Sequence, residues 1–285
     1  MNRMREETLE FTGHDGLRLV ATARGEPDAP TVLLLHGGGQ MRQSWGGTAE
    51  RLAKSGRYAI TLDMRGHGES AWCPHGRYRV ADFRDDLAVV LSRLPRPAVV
   101  VGASLGGITT LLYAESCDMS RVRGVILVDI AARIETEGAR RIGTWMVSTS
   151  DGFDSLEAVA AAIEAYTPQR KQTWTRERLL RMVREQPDGR YRWHWDPKFM
   201  SESGPREVAD HERLHRAAAK LKVPTLLVRG RESDMISHDG VREFQEVVPH
   251  AEFVDVSGAG HMVAGDRNDA FTDAVTDFLD RHDPV

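Results

Sequence analysis

Along the 285-residue chain, short apolar runs alternate with segments whose apolar positions recur at helical spacing. Near-continuous Val, Leu and Ile over Thr31 to Leu35, Tyr58 to Asp63, Ala98 to Gly102, Val122 to Asp129, Thr225 to Val228 and Glu252 to Val256 predicts strands buried on both faces. Between them, Val80, Phe83, Leu87, Val90, Leu91 and Leu94 fall on one helical face, as do Phe271, Val275, Phe278 and Leu279 near the C-terminus. Segments Thr8 to Thr12 and Gly16 to Ala23, joined by Gly13-His14-Asp15-Gly16, read as an antiparallel hairpin at the sheet's edge. The pattern is that of an α/β fold, a mostly parallel sheet with helices on both faces. From 131 to 220 the rhythm stops, and helical patterns such as Leu156 to Tyr166 and Thr175 to Glu185 follow one another with no convincing strand. The expectation is a core domain formed by 1–130 and 221–285, with 131–220 inserted as a helical cap.

Composition changes this picture by exclusion. Hydrophobic residues at 41%, charged residues at 28% and a formal net charge of -4 give no electrostatic case for nucleic acid or an anionic membrane. The expected partner is a small molecule. No apolar run reaches the length of a membrane span, and the opening MNRMREETLEF lacks the apolar core of a signal peptide, so a cytoplasmic location is expected. Cys73 and Cys117 have no CxxC spacing and imply neither a disulfide framework nor a zinc site.

The candidate chemistry begins in VVVGASLGGITTLL, residues 99 to 112, where Gly102-Ala103-Ser104-Leu105-Gly106 matches G-x-S-x-G between a buried strand and a helix. Ser104 there is either a turn residue or a nucleophile at a helix N-terminus. A serine hydroxyl needs a general base and a third group to orient it. His261, in the glycine-rich VSGAGHMVAGD after the last strand, is the candidate base. For the acid, PTLLVRGRESDMIS carries Glu232 and Asp234 past a strand end, and Asp234 is preferred for its reach and its short side chain. Asp129, closing VILVDI on the neighbouring strand, is the alternative, with a turn-capping role favoured for it.

The order Ser104, Asp234, His261, together with LLLHGGGQ, LDMRGHGES, VGASLGG, VRGRESD and GAGHM, resembles the α/β-hydrolase superfamily over nearly the whole chain outside the insertion. The resemblance implies an oxyanion hole from the backbone N–H groups of Leu105 and Gly38, structural roles for His36, Asp63, Arg65 and His67, and no cofactor or metal. A serine at the elbow, where epoxide hydrolases and haloalkane dehalogenases of this fold carry aspartate, implies acyl transfer to water. The expected activity is that of a cofactor-independent serine esterase or lactonase. Carbon-carbon hydrolysis of ring-fission products and perhydrolysis use the same serine, and a ligand-sensing relative with a retained triad is a further reading. In the insertion, Trp145, Trp193 and Trp195, with Met262 beside the base, are the candidate pocket residues, although packing of the insertion's own helices competes for each.

Overall fold

The computed structural model describes residues 5–167, 173–201, 204, 210–261, 263 and 268–285. Its framework is an eight-stranded sheet of β1 (Glu6–Thr12), β2 (Arg18–Arg24), β3 (Thr31–Leu35), β4 (Tyr58–Asp63), β5 (Ala98–Ala103), β6 (Val122–Val128), β9 (Thr225–Gly230) and β10 (Glu252–Val256). The spatial order is β1-β2-β4-β3-β5-β6-β9-β10. β1 and β2 pair antiparallel, as does β2 with β4, and every pairing from β4 to β10 is parallel. Alternate side chains of the buried strands serve two cores. Leu33, Val100 and Leu127 join one face with Phe83, Leu87 and Leu111 of α2 (Val80–Arg93) and α3 (Leu105–Ser116). Val32, Val101 and Val128 join the other with Ala49 and Leu52 of α1 (Gly46–Lys54) and Phe271 and Phe278 of α9 (Asn268–His282). Each such aliphatic side chain, fully withdrawn from water, contributes about 1.5–3 kcal/mol, and burial on both faces explains why these strands read as unbroken apolar runs. The two edge strands differ from this: β1 alternates exposed and half-buried residues, and β10, expected to be buried on both faces, is half-buried from Glu252 to Asp255 because, among the described residues, no strand covers its outer edge.

Between β6 and β9 the chain leaves the sheet. Here lie α4 (Thr136–Ser148), α5 (Leu156–Tyr166) and α6 (Arg176–Leu180), with the Ser155 side chain accepting from the Ala158 N–H to cap α5. The helix predicted over Thr175 to Glu185 stops at Leu180, and a two-stranded hairpin follows, β7 (Val183–Glu185) with β8 (Tyr191–Trp193). Around the turn, Gln186 N–H donates to the Arg190 carbonyl at 2.8 Å and Gly189, at φ 78°, donates to Gln186 at 2.9 Å. Buried Val183 lies opposite Trp193, so cross-strand packing of β-formers overrides a helical pattern. α7 (His211–Ala218) leads back to β9, and α8 (His238–Val247) joins β9 to β10. Among the described residues, no helix is long and apolar enough to cross a membrane.

Candidate active site

Parallel register brings five loops together at the carboxyl ends of adjacent strands. Leu35 of β3 pairs with Gly102 of β5, Ala103 of β5 with Val128 of β6, and Val128 with Val228 of β9. The residues just beyond, the His36-Gly37-Gly38 loop, Ser104, Asp129, the Arg231–Met235 loop and His261, therefore lie side by side where open α/β sheets keep their sites.

Ser104 links β5 directly to α3 at φ 46° and ψ -112°, a backbone region that L-residues rarely adopt. Its hydroxyl makes no cap to the helix it precedes, so the turn-residue reading loses its main support. The elbow is possible because its neighbours are glycines. A Cβ on Gly102 would lie 2.6 Å from the Gly106 backbone, and one on Gly106 would lie 2.6 Å from the Leu35 carbonyl oxygen.

The loop after β3 rests against this serine, a Cβ placed on Gly37 coming 3.3 Å from Cβ of Ser104. The Gly37 N–H donates to Gln40 Oε1 at 3.0 Å and the Gly39 N–H to His67 Nε2 at 3.0 Å. Among the described residues, the N–H groups of Gly38 and Leu105 have no protein acceptor. These are the two donors the sequence proposed for the oxyanion. His36, fully buried, donates from Nδ1 to the Gly37 carbonyl and accepts the Met64 N–H at Nε2. Burial pushes its pKa down to about 4, and that of His67 to about 3, where neighbouring His36 adds to the effect. Both are neutral braces of the loop.

The acid is where sequence and structure part. His261 Nδ1 donates to Asp129 Oδ2 at 2.6 Å, and Asp129 is fully buried. Asp129 sits one residue past β6 at φ 50°, and with Ser104 it is one of two non-glycine residues of positive φ among the described residues. Its Oδ1 accepts the Gly230 N–H at 3.1 Å and its Oδ2 also accepts the Ser233 hydroxyl. Asp234, the preferred acid, is instead half exposed and paired with Arg141 of α4 at 2.9 Å. The correction has a physical cause. β6 is the strand adjacent to the one that ends at Ser104, and the loop after β9 turns Ser233 inward toward Asp129 and Asp234 out toward Arg141 of α4.

Over the loop sit residues of the insertion. A Cβ on Gly38 would approach Phe199 Cζ to 3.3 Å, and one on Gly39 would approach Met146 Cε to 3.0 Å and Trp195 Nε1 to 3.7 Å. Of the pocket candidates, Trp195 therefore lies at the site. Trp145 stacks on Tyr166 with ring centroids 4.5 Å apart, and Trp193 donates to Thr149 Oγ1 at 3.0 Å, so both are engaged in packing the insertion itself. Met262 lies outside the described residues. Asp129 carried a sequence signal as a carboxylate ending a buried strand, and Met146 and Phe199 carried one as large apolar residues of the insertion, whereas Ser233 carried none.

One cluster has the composition of a cation site. His14, Asp15 and Asp86 bring ligand atoms within 4.8 Å of one another at the β1–β2 turn. The buried guanidinium of Arg65 already occupies their centre, donating to Asp86 through Nε at 2.7 Å and Nη2 at 2.8 Å and to Asp15 at 3.2 Å. The group is a hydrogen-bonded ionic tie between the hairpin and α2.

Known proteins share this fold. The family model described as the alpha/beta hydrolase fold matches residues 30–267. The chain is 29% identical to esterase Rv0045c of Mycobacterium tuberculosis over 269 residues, covering 92% of this chain and 86% of that protein. It is 28% identical to 2-(acetamidomethylene)succinate hydrolase of Mesorhizobium japonicum over 266 residues, covering 92% of each. The crystal structure of E-2-(acetamidomethylene)succinate hydrolase superposes with a TM-score of 0.82 at 25% identity, over 97% of this chain and 100% of that one. A matched span running from β3 to the edge of α9, and so containing the elbow serine, Asp129 and His261, places the chain in the α/β-hydrolase fold family.

Proposed function

We propose that this protein is a cofactor-independent serine hydrolase that cleaves a carboxylic ester or lactone of a small molecule through an acyl-enzyme. The observation that carries the reading is an elbow serine of positive φ whose hydroxyl does not cap the helix it precedes, at the strand end next to a buried His261–Asp129 pair. In this reading His261 takes the proton from Ser104 as Oγ attacks the carbonyl carbon. The developing oxyanion lies against the N–H groups of Gly38 and Leu105, at the positive end of α3. His261 then gives its proton to the leaving alcohol, and a water deprotonated by the same imidazole releases the acid. Asp129 fixes the imidazole tautomer with Nδ1–H donating, which leaves Nε2 for the serine. Residues 131–220 act as the lid. The relation to an esterase supports this chemistry. A second reading, hydrolysis of a bond other than an ester, is supported by the relation to a hydrolase whose named substrate carries an acetamido group.

The test is a panel of short to long acyl esters, lactones, an acetamido-alkene diacid and a ring-fission dienoate, run on the wild type and on Ser104→Ala. Ester turnover that falls by several orders of magnitude in a folded Ser104→Ala, with a fluorophosphonate adduct on Ser104 of the wild type, is expected. An adduct on another serine, or turnover that survives Ser104→Ala, overturns the reading.

A further inference from the structure

We infer that Ser233 is a positioning residue, its hydroxyl holding the Asp129 carboxylate in line with His261; this rests on the serine-hydrolase reading above. Ser233 Oγ accepts the Met235 N–H at 3.0 Å. With that lone pair occupied, its single O–H is directed to Asp129 Oδ2 at 2.5 Å. The same oxygen accepts Nδ1 of His261, and the other oxygen accepts the Gly230 N–H. A fully buried carboxylate has no water to complete its shell, so these donors decide its rotation about the Cβ–Cγ bond.

The loop that presents Ser233 is itself fixed. Ser233 N–H donates to the Gly230 carbonyl at 2.9 Å, and Glu232 N–H donates to the Ala259 carbonyl at 2.9 Å, two residues before His261. Arg231 N–H donates to the Val256 carbonyl at 3.0 Å, at the end of β10. Ser233 thereby ties the acid after β6 to the segment that carries the base after β10. Removing its hydroxyl leaves Oδ2 with only the imidazole, and the carboxylate is then free to turn away from the geometry that fixes the tautomer. Asp234, one residue on, faces Arg141 and takes no part.

A purely local role is the competing explanation, because the Met235 N–H to Ser233 Oγ bond is a turn in its own right. Valine and threonine at 233 have nearly the same volume and differ by the hydroxyl, so the pair separates the two roles. Ser233→Val is expected to lower kcat for the best panel ester about 10- to 100-fold with KM within about twofold, the loss of a hydrogen bond to a buried charge. Fluorophosphonate labelling of Ser104 slows in parallel. Ser233→Thr is expected to hold kcat within about threefold of the wild type, since its hydroxyl makes the same bond. Should Ser233→Val not fold, Ser233→Ala against Ser233→Thr poses the same comparison. Wild-type kcat in Ser233→Val, equal losses in the valine and threonine variants, or a fall in Tm without a fall in kcat overturns the inference. Ser104→Ala run alongside keeps the two readings apart. Surviving turnover there overturns the serine-hydrolase reading, whereas an inactive Ser104→Ala beside a fully active Ser233→Val overturns the role of Ser233 alone.

Discussion

At the scale of single residues, the choice between Asp129 and Asp234 turns on what each carboxylate faces. Asp129 accepts from an imidazole, a hydroxyl and a backbone N–H in a site closed to water, whereas Asp234 shares solvent with a guanidinium. Asp129→Asn replaces an acceptor with an amide that can donate to Nδ1 and so holds His261 in the wrong tautomer. Turnover is expected to fall by about 10⁴ with little change in KM, the size found for a triad acid of the same role. Asp234→Asn removes an exposed ion pair and is expected to leave kcat/KM within about threefold. The reverse ranking of the two variants would return the acid to the loop after β9. Both candidates were legible as carboxylates at strand ends, as were Ser104 and His261. What the residue order does not carry is the backbone: a positive φ at Asp129 turns its side chain inward, and nothing in VILVDI signals it.

At the scale of elements, the strands buried on both faces were readable because two cores demand apolar side chains at every position, and β3 and β4 begin and end where the apolar runs do; β10 also has the expected bounds but is a half-buried edge strand. The insertion resisted. Arg181 to Glu185 has helical spacing in isolation, but its pairing partner, Tyr191 to Trp193, lies across a turn, and Phe153 extends the hairpin from another part of the chain. Such long-range pairing wins over local pattern. The insertion also brings Met146 of α4 over Gly39, where a flexible thioether fills the space next to the loop after β3. Met146→Ala is expected to raise kcat/KM for long acyl esters relative to acetyl esters by about 10-fold, at a stability cost of about 2–5 kcal/mol. A chain-length profile identical to that of the wild type would show that acyl groups leave the site by another route.

At the scale of the whole molecule, three buried imidazoles join elements far apart in sequence. His36 Nε2 accepts the Met64 N–H, His67 Nε2 accepts the Gly39 N–H and His194 Nδ1 accepts the Gly68 N–H, so the loop after β3, the turn after β4 and the insertion are latched to one another. The histidines were visible in the sequence, but their convergence depends on how the insertion folds back on the sheet. Each accepting nitrogen works only while it is unprotonated. Burial lowers the pKa of His36 to about 4 and that of His67 to about 3, and it also lowers that of His194, where His67, His36 and Arg184 add to the effect. In the unfolded chain these groups titrate near about 6.5. Between about 4 and 6.5 the unfolded state therefore binds more protons than the folded one, and stability rises with pH. The stability is fully present above about pH 7, is lost progressively as pH falls through 6.5, and stops falling on this account once His36 and His67 protonate in the folded state. His36 alone contributes about 3 kcal/mol across its window. Exposed carboxylates titrate near about 4 to 4.5, so a loss that begins above pH 6 belongs to the imidazoles. The urea midpoint is expected to drop between pH 7.5 and pH 5, and His67→Gln, whose side-chain oxygen can still accept the Gly39 N–H, is expected to drop less steeply. Equal midpoints at the two pH values, or a slope in His67→Gln as steep as that of the wild type, would remove the neutral histidine latch from the account of this fold.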